Sequence, residues 1–141
     1  MQLLIKKLSP DAILPKFALP GDAALDIYSN ETVLLHPNQK AIVKTGIAIA
    51  IPKGHVGLIW DKGGMAAKFH LHTLAGVFDE NYRGEYQIVI ANLGEKSYTI
   101  EKGQKICQLL IQPVLQPEVK EVTELDSTVR GEGRFGSTGL Q

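Results

Sequence analysis

The chain has one cysteine, no surplus of charge and no long apolar run, and each shortage excludes something. Cys107, alone among 141 residues, cannot form an internal disulfide, which suits a reducing compartment and makes the cytoplasm the expected location. It lies in KICQLL (105–110), where a small buried hydrophobe is its expected role. Fifteen basic residues balance fifteen acidic ones. No net field therefore favours nucleic acid or an anionic membrane, and any affinity for phosphate has to come from local groups. The N-terminal MQLLIKKLSP holds too short an apolar run for a signal peptide, and no segment reaches bilayer-spanning length. No internal repeat suggests a propeller or a solenoid. The length predicts one domain with a real core.

What the chain does have is punctuation. Fourteen glycines and seven prolines divide it into short runs rich in β-formers. Strands are expected over 2–8, 24–28, 32–35, 40–44, 47–51, 55–60 and 96–100, with a longer one from 105 to about 115. Only GMAAKF (64–69) reads as helix. Strands at this spacing predict an all-β fold, a distorted jelly-roll sandwich or barrel with one short helix. Alternation in Ala24–Tyr28 puts Asp26 on the face opposite Leu25 and Ile27.

The stretch TLAGVFDENYRGE (73–85) stands out. Its apolar run, Leu74–Phe78, and the following run, Tyr86–Ile90, predict a β-hairpin with Asp79 at its mouth and Tyr82 in the turn. Turn chemistry alone would also account for those polar residues. The end of the chain differs in kind. From Ser127 on, four glycines occur without an apolar period, so residues 1–126 are expected to form the core and 127–141 a mobile tail. That tail carries Arg130, Arg134, Phe135, Ser137 and Thr138. Arginines, hydroxyls and glycine amides suit a polyphosphate, and a phenylalanine suits stacking on a base.

Five segments, in order, resemble the motifs of the all-β trimeric dUTPase family: PGDAALDIYS (20–29), DKGGMA (61–66), AGVFDENYRGE (75–85), KGQKICQLL (102–110) and RGEGRFGSTG (130–139). The resemblance implies hydrolysis of dUTP to dUMP and pyrophosphate, which limits uracil in DNA and supplies dUMP for dTMP synthesis. Asp79 would hold and deprotonate the water that attacks the α-phosphorus. Asp26 would steady a Mg²⁺ ion through water, without direct ligation, and Gln108 would stand near the phosphates and water. Backbone groups of Gly76, Val77 and Phe78 would read the uracil edge, and Tyr82 would pack under the deoxyribose and leave no room for a 2′-hydroxyl. Thr73 and Gln87 fall in the substrate-binding set by the same likeness. Phe135 would close over the uracil, Arg130, Ser137 and Thr138 would grip the terminal phosphates, and Gly136 falls in the substrate-binding set. A homotrimer with shared sites is implied.

The second segment departs from the family's usual Arg-Ser-Gly, having Lys62-Gly63-Gly64. Lysine keeps the charge without the planar fork, and glycine keeps the amide without the hydroxyl. Arg134 stands where the family usually has glycine. A dCTP deaminase-like relative and a non-catalytic nucleotide binder are the alternative functions. His70 and His72, two residues apart, could share one face of a strand as a metal pair, but no third ligand is in view.

Overall fold

The structure is a computed structural model that describes residues 1–134. Its described elements are β1 (Leu4–Lys7), β2 (Leu25–Tyr28), β3 (Val33–Leu35), β4 (Lys40–Ala50), β5 (His55–Asp61), α1 (Gly63–Phe69), β6 (Leu71–Leu74), β7 (Val77–Phe78), β8 (Glu85–Asn92), β9 (Tyr98–Ile100) and β10 (Lys105–Pro113). They form two four-stranded sheets, in the orders β1-β4-β8-β6 and β2-β10-β5-β7, and a two-stranded ribbon, β3-β9. All the pairings are antiparallel. The fold is the expected all-β one, a jelly roll with a single short helix.

The core is aliphatic. Ile27, Ile47, Ile49, Ile88, Ile90, Ile106 and Leu109 are buried; all but Ile27, on the edge strand β2, come from the central strands of the two sheets. β8 shows why: its burial alternates along EYQIVIAN, which sends Tyr86, Ile88, Ile90 and Asn92 inward. Cys107 lies in this core, as its sequence context suggested, and burial pushes its thiol up out of the reactive range.

Two strand expectations need correction. Residues 40–44 and 47–51 are not separate strands but one strand with a kink. Its register on β8 shifts between Lys44 and Ala48, around Gly46 at φ 69°. The kink is a bulge, in which a left-handed glycine lets the ladder bend and continue. A side chain there would also meet Asn30 Nδ2 at 2.8 Å.

The expected hairpin does not form. β7 pairs with β5 in one sheet, whereas β8 pairs with β4 and β6 in the other. The cause is local: Ala75 takes φ 53°, which ends β6 at Leu74 and sends the chain across to the second sheet. His70 likewise leaves the strand expected to carry it, and caps α1 in a left-handed conformation at φ 56°.

The last strand ends at Pro113, and residues 114 to 134 carry no helix or strand. Their apolar side chains Leu115, Val119, Leu125 and Val129 are exposed. Phe135, Gly136, Ser137 and Thr138 lie outside the described residues.

Candidate active site

The candidate residues gather in two places on the β2-β10-β5-β7 sheet. At the first, the registers set Gln108 opposite Asp26 on one side and opposite Trp60 on the other, and residues directly opposite share a face. Asp26 is buried. Lys62 donates to its Oδ1 at 2.5 Å, and Lys105 Nζ lies 2.7 Å from Oδ2. A register shift between Lys105 and Cys107 turns Lys105 towards that carboxylate. Burial works against ionisation of Asp26, but the Lys105 and Lys62 ammoniums more than offset it and hold its carboxyl below the usual carboxylate range.

Asp61 ties this cluster to the other sheet. Its Oδ1 accepts both the Thr73 N–H and the Thr73 hydroxyl at 2.7 Å, and His72 Nδ1 lies 2.8 Å from Oδ2. Burial opposes its charge as well, yet the bonds from Thr73 and His72 lower its pKa. The Asp61 carbonyl accepts from Gln108 Nε2 at 2.8 Å. One residue therefore fixes the end of β5, the start of β6 and the orientation of Gln108. Sequence reasoning missed Asp61 and Lys105. It lay within reach to suspect a carboxylate between a strand and a helix, but no local signal names partners on β6 or β10. His72, considered for a metal pair, contacts Asp61. Among the described residues, no group of three or more His, Cys, Asp or Glu side chains could hold a metal ion.

Gly63 and Gly64 follow Lys62 and open α1, whose first amides are left unpaired by helix geometry. Neither glycine is in the left-handed region, and a Cβ on either would meet open space. Gly63→Ser is therefore free of strain. A new hydroxyl facing bound phosphate is expected to raise kcat and lower KM, a gain of about 0.5–1.5 kcal/mol in kcat/KM. Steady-state kinetics beside a thermal melt checks this: lower activity with an unchanged melting temperature would mean that the pocket is built around the missing hydroxyl.

The second cluster surrounds β7. Gly76 O accepts from Ile59 N–H at 2.8 Å, which seats the 76–78 backbone against β5. Phe78 stacks on buried Tyr86 with centroids 4.0 Å apart, and Tyr82 leans against both at 5.9 and 6.1 Å. The Tyr82 hydroxyl donates to Glu85 O at 2.9 Å, so the ring forms a fixed wall. Asp79 is exposed directly after β7, on a concavity of about 440 Å³ shared with His55, Asn81 and Gln116. An apolar hollow of about 270 Å³ between Trp60, Thr73, Gly76 and Val77 adjoins it. A Cβ at Gly76 would lie 2.6 Å from the Ile59 carbonyl oxygen, forcing β5 and β7 apart. Gly76→Ala is expected to cost about 1–3 kcal/mol in a urea melt. Unchanged stability would contradict this packing.

Gln87 stands apart, exposed on β8 in the other sheet opposite Lys44. Arg130 is exposed and donates from Nε to Gly133 O at 2.8 Å, within a turn. A larger concavity, of about 540 Å³, lies between the end of α1 and Tyr98 and contains none of these residues.

The two clusters share the wall of the apolar hollow, through Asp61 on one side and Gly76 and Val77 on the other, but their carboxylates Asp26 and Asp79 do not meet. Phe78 pairs with Gly57, whereas Asp26 faces Gln108, which faces Trp60. Three strand spacings and four residue steps separate Asp79 from Asp26 by roughly 20 Å. Within one chain they cannot serve the same phosphorus.

Comparison with known proteins agrees with the five segments. The model of the dUTPase family matches residues 11–139. The deoxyuridine 5′-triphosphate nucleotidohydrolase of Clostridium kluyveri is 44% identical over 141 residues, covering 99% of each chain. The Staphylococcus bacteriophage 80alpha dUTPase solved with dUpNHpp superposes with a TM-score of 0.93 at 38% identity, covering 99% of each chain. A mutant dUTPase from phage phi11 of S. aureus, described with a coordinated structural Mg(II) ion, gives a TM-score of 0.84 at 33% identity over 90% of this chain and 100% of that one. With its whole length matched in sequence and fold, the chain belongs to the dUTPase family.

Proposed function

We propose that the chain is a dUTP diphosphatase, releasing dUMP and pyrophosphate. Asp79 carries this reading: of the two carboxylates on the concavity, Glu80 is held by the Gly54 amide, whereas Asp79 is exposed beside the β7 backbone edge and an aromatic wall. Its carboxylate removes a proton from a water molecule. That oxygen then bonds to the α-phosphorus, the bond from the α-phosphorus to the bridging oxygen breaks, and pyrophosphate leaves with the electron pair. The Gly76–Phe78 backbone offers amide and carbonyl groups to a uracil edge. The Tyr82 ring under the sugar excludes a ribose hydroxyl. Gln108, fixed by Asp61, orients water or phosphate, and Arg130 with Phe135, Gly136, Ser137 and Thr138 closes the site and keeps water out.

The magnesium ion implied by the family would supply charge neutralisation to a bound triphosphate. As the chain stands, a hydrated divalent cation does not fit at Asp26, because both carboxylate oxygens face ammonium groups. The roughly 20 Å gap between Asp79 and Asp26 supports a site shared between copies, and a closed homotrimer would supply three equivalent sites. Exposed Trp60 and Val77 beside the apolar hollow suit such an interface. The cytoplasm suits a lone buried cysteine, and among the described residues no helix is long and apolar enough to cross a membrane.

A non-catalytic binder has one observation in its favour: Lys62 is turned onto Asp26 rather than outward. Pyrophosphate release from dUTP, dCTP and UTP tests both readings. Release from dUTP alone is the expected result. Ammonia release from dCTP would indicate the deaminase reading, and tight dUTP binding without turnover would indicate the binder.

A further inference from the structure

The carboxylate that the family likeness assigns to a metal's water shell already has a cation. The Asp26 side chain is 3% exposed. Its formal charge with Lys62 and Lys105 is −1 + 1 + 1, so the cluster is +1. The two lysines are not equivalent. Lys62 makes a directed hydrogen bond to Oδ1, whereas Oδ2 has only the ion pair with Lys105 and no aligned donor. The geometry at residue 62 sets this up. Lys62 is the N-cap of α1, with extended backbone at φ −75° and ψ 117°, and makes no side-chain cap. Its compact ammonium on a flexible stem reaches inward to a single oxygen.

We propose that Lys62 is the resident counter-cation of Asp26 and that it competes with a hydrated divalent cation for this carboxylate. The inference rests on the nucleotide reading of the site and goes beyond it. A second cation arriving at Asp26 would meet a positive cluster and would have to displace the Lys62 hydrogen bond. Linkage then runs both ways: whatever holds Lys62 on Asp26 weakens the metal's share in nucleotide binding, and loss of Lys62 strengthens it. Asp26 in the native chain adds little to the magnesium dependence of binding, and the metal is held by the triphosphate itself.

The test measures binding rather than turnover. The affinity for dUpNHpp is determined calorimetrically with Mg²⁺ and with EDTA, for the native chain, Lys62→Met, Asp26→Asn and the double variant. The readout is the factor by which Mg²⁺ tightens binding. In Lys62→Met that factor is expected to exceed the native one by about tenfold, within the usual range of coupling between sites. In Asp26→Asn it stays near the native value, and in the double variant it returns to the Asp26→Asn value. An unchanged factor in Lys62→Met overturns the proposal. So does an increase that persists in the double variant, because Lys62 would then act on phosphate directly. Lys62→Gln, which keeps a hydrogen bond to Asp26 without the charge, is expected to move the factor in the same direction and serves if the methionine variant does not fold. Failure of the native chain to bind dUpNHpp would overturn the nucleotide reading and this proposal together. Binding without the shift would overturn this proposal alone.

Discussion

Asp79→Asn lowers turnover of dUTP by roughly 10²–10⁴, the usual worth of a general base. Three features make this prediction sharp. Asn has nearly the same shape, so the concavity keeps its form. Among the described residues the Asp79 carboxylate has no hydrogen-bond or ion-pair partner; the turn uses only its backbone, through Tyr82 N–H donating to Asp79 O at 3.1 Å. Exposed substitutions of this kind move stability by about 0.5 kcal/mol or less. The melting temperature and the dissociation constant for dUpNHpp should therefore stay near native while kcat falls. A variant with native kcat would remove Asp79 from the chemistry. A variant that lost binding in parallel would make Asp79 a substrate contact instead.

Deleting residues 130–141 should be as damaging to hydrolysis, for a different reason. The last strand ends at Pro113, and among the described residues the side chains from 117 to 130 are exposed, so that part of the chain adds little to the core. The proposed closure loses Arg130, Phe135, Ser137 and Thr138 at once. One base–aromatic stack is worth about 1–3 kcal/mol, and a hydrogen bond to a charged group about 1.5–3 kcal/mol. Two or three such contacts together amount to a loss on the order of a thousandfold or more in kcat/KM. The truncated protein should melt at the native temperature and elute at the native size. Ordinary activity from it would sink the closure model.

The alternation that made β2 and β8 legible is a local property, and both strands lie close to where their periodicity puts them. The helix was equally local, a run without β-branched residues between glycines and His70. What the sequence could not disclose is which strands pair. Val77–Phe78 and Tyr86–Ile90 look like neighbours because few residues separate them, yet a left-handed Ala75 sends the former to β5. Alanine carries no signature of that conformation, as a glycine would. Gly46 does carry one, but the same residue marks either a turn or a bulge, and only the continuous β4–β8 ladder decides.

The site divides in the same way. Motif likeness named Asp26, Lys62 and Gln108, but their meeting is a product of the β2-β10-β5 ladders, with Lys62 and Asp26 separated by 36 positions. The Asp61 bonds to Thr73 and His72 depend on β6 lying beside β5, across the two sheets. Thr73 was placed with the substrate, and here its hydroxyl is held by Asp61. The separation of Asp79 from Asp26 was also invisible, because neighbouring motifs in a sequence give no distance between strands.

That separation yields the most direct measurement. Asp79→Asn and Gln108→Ala proteins, each far less active than native when alone, are dissociated together, reassembled in equal amounts and assayed for pyrophosphate release from dUTP. If each site takes Asp79 from one chain and Gln108, which faces Asp26, from another, hybrids regain native sites, and activity returns to roughly a quarter of the native value by random assortment in a closed assembly. Verified exchange of subunits with no recovery of activity would place both side chains in the same chain's site and contradict the account.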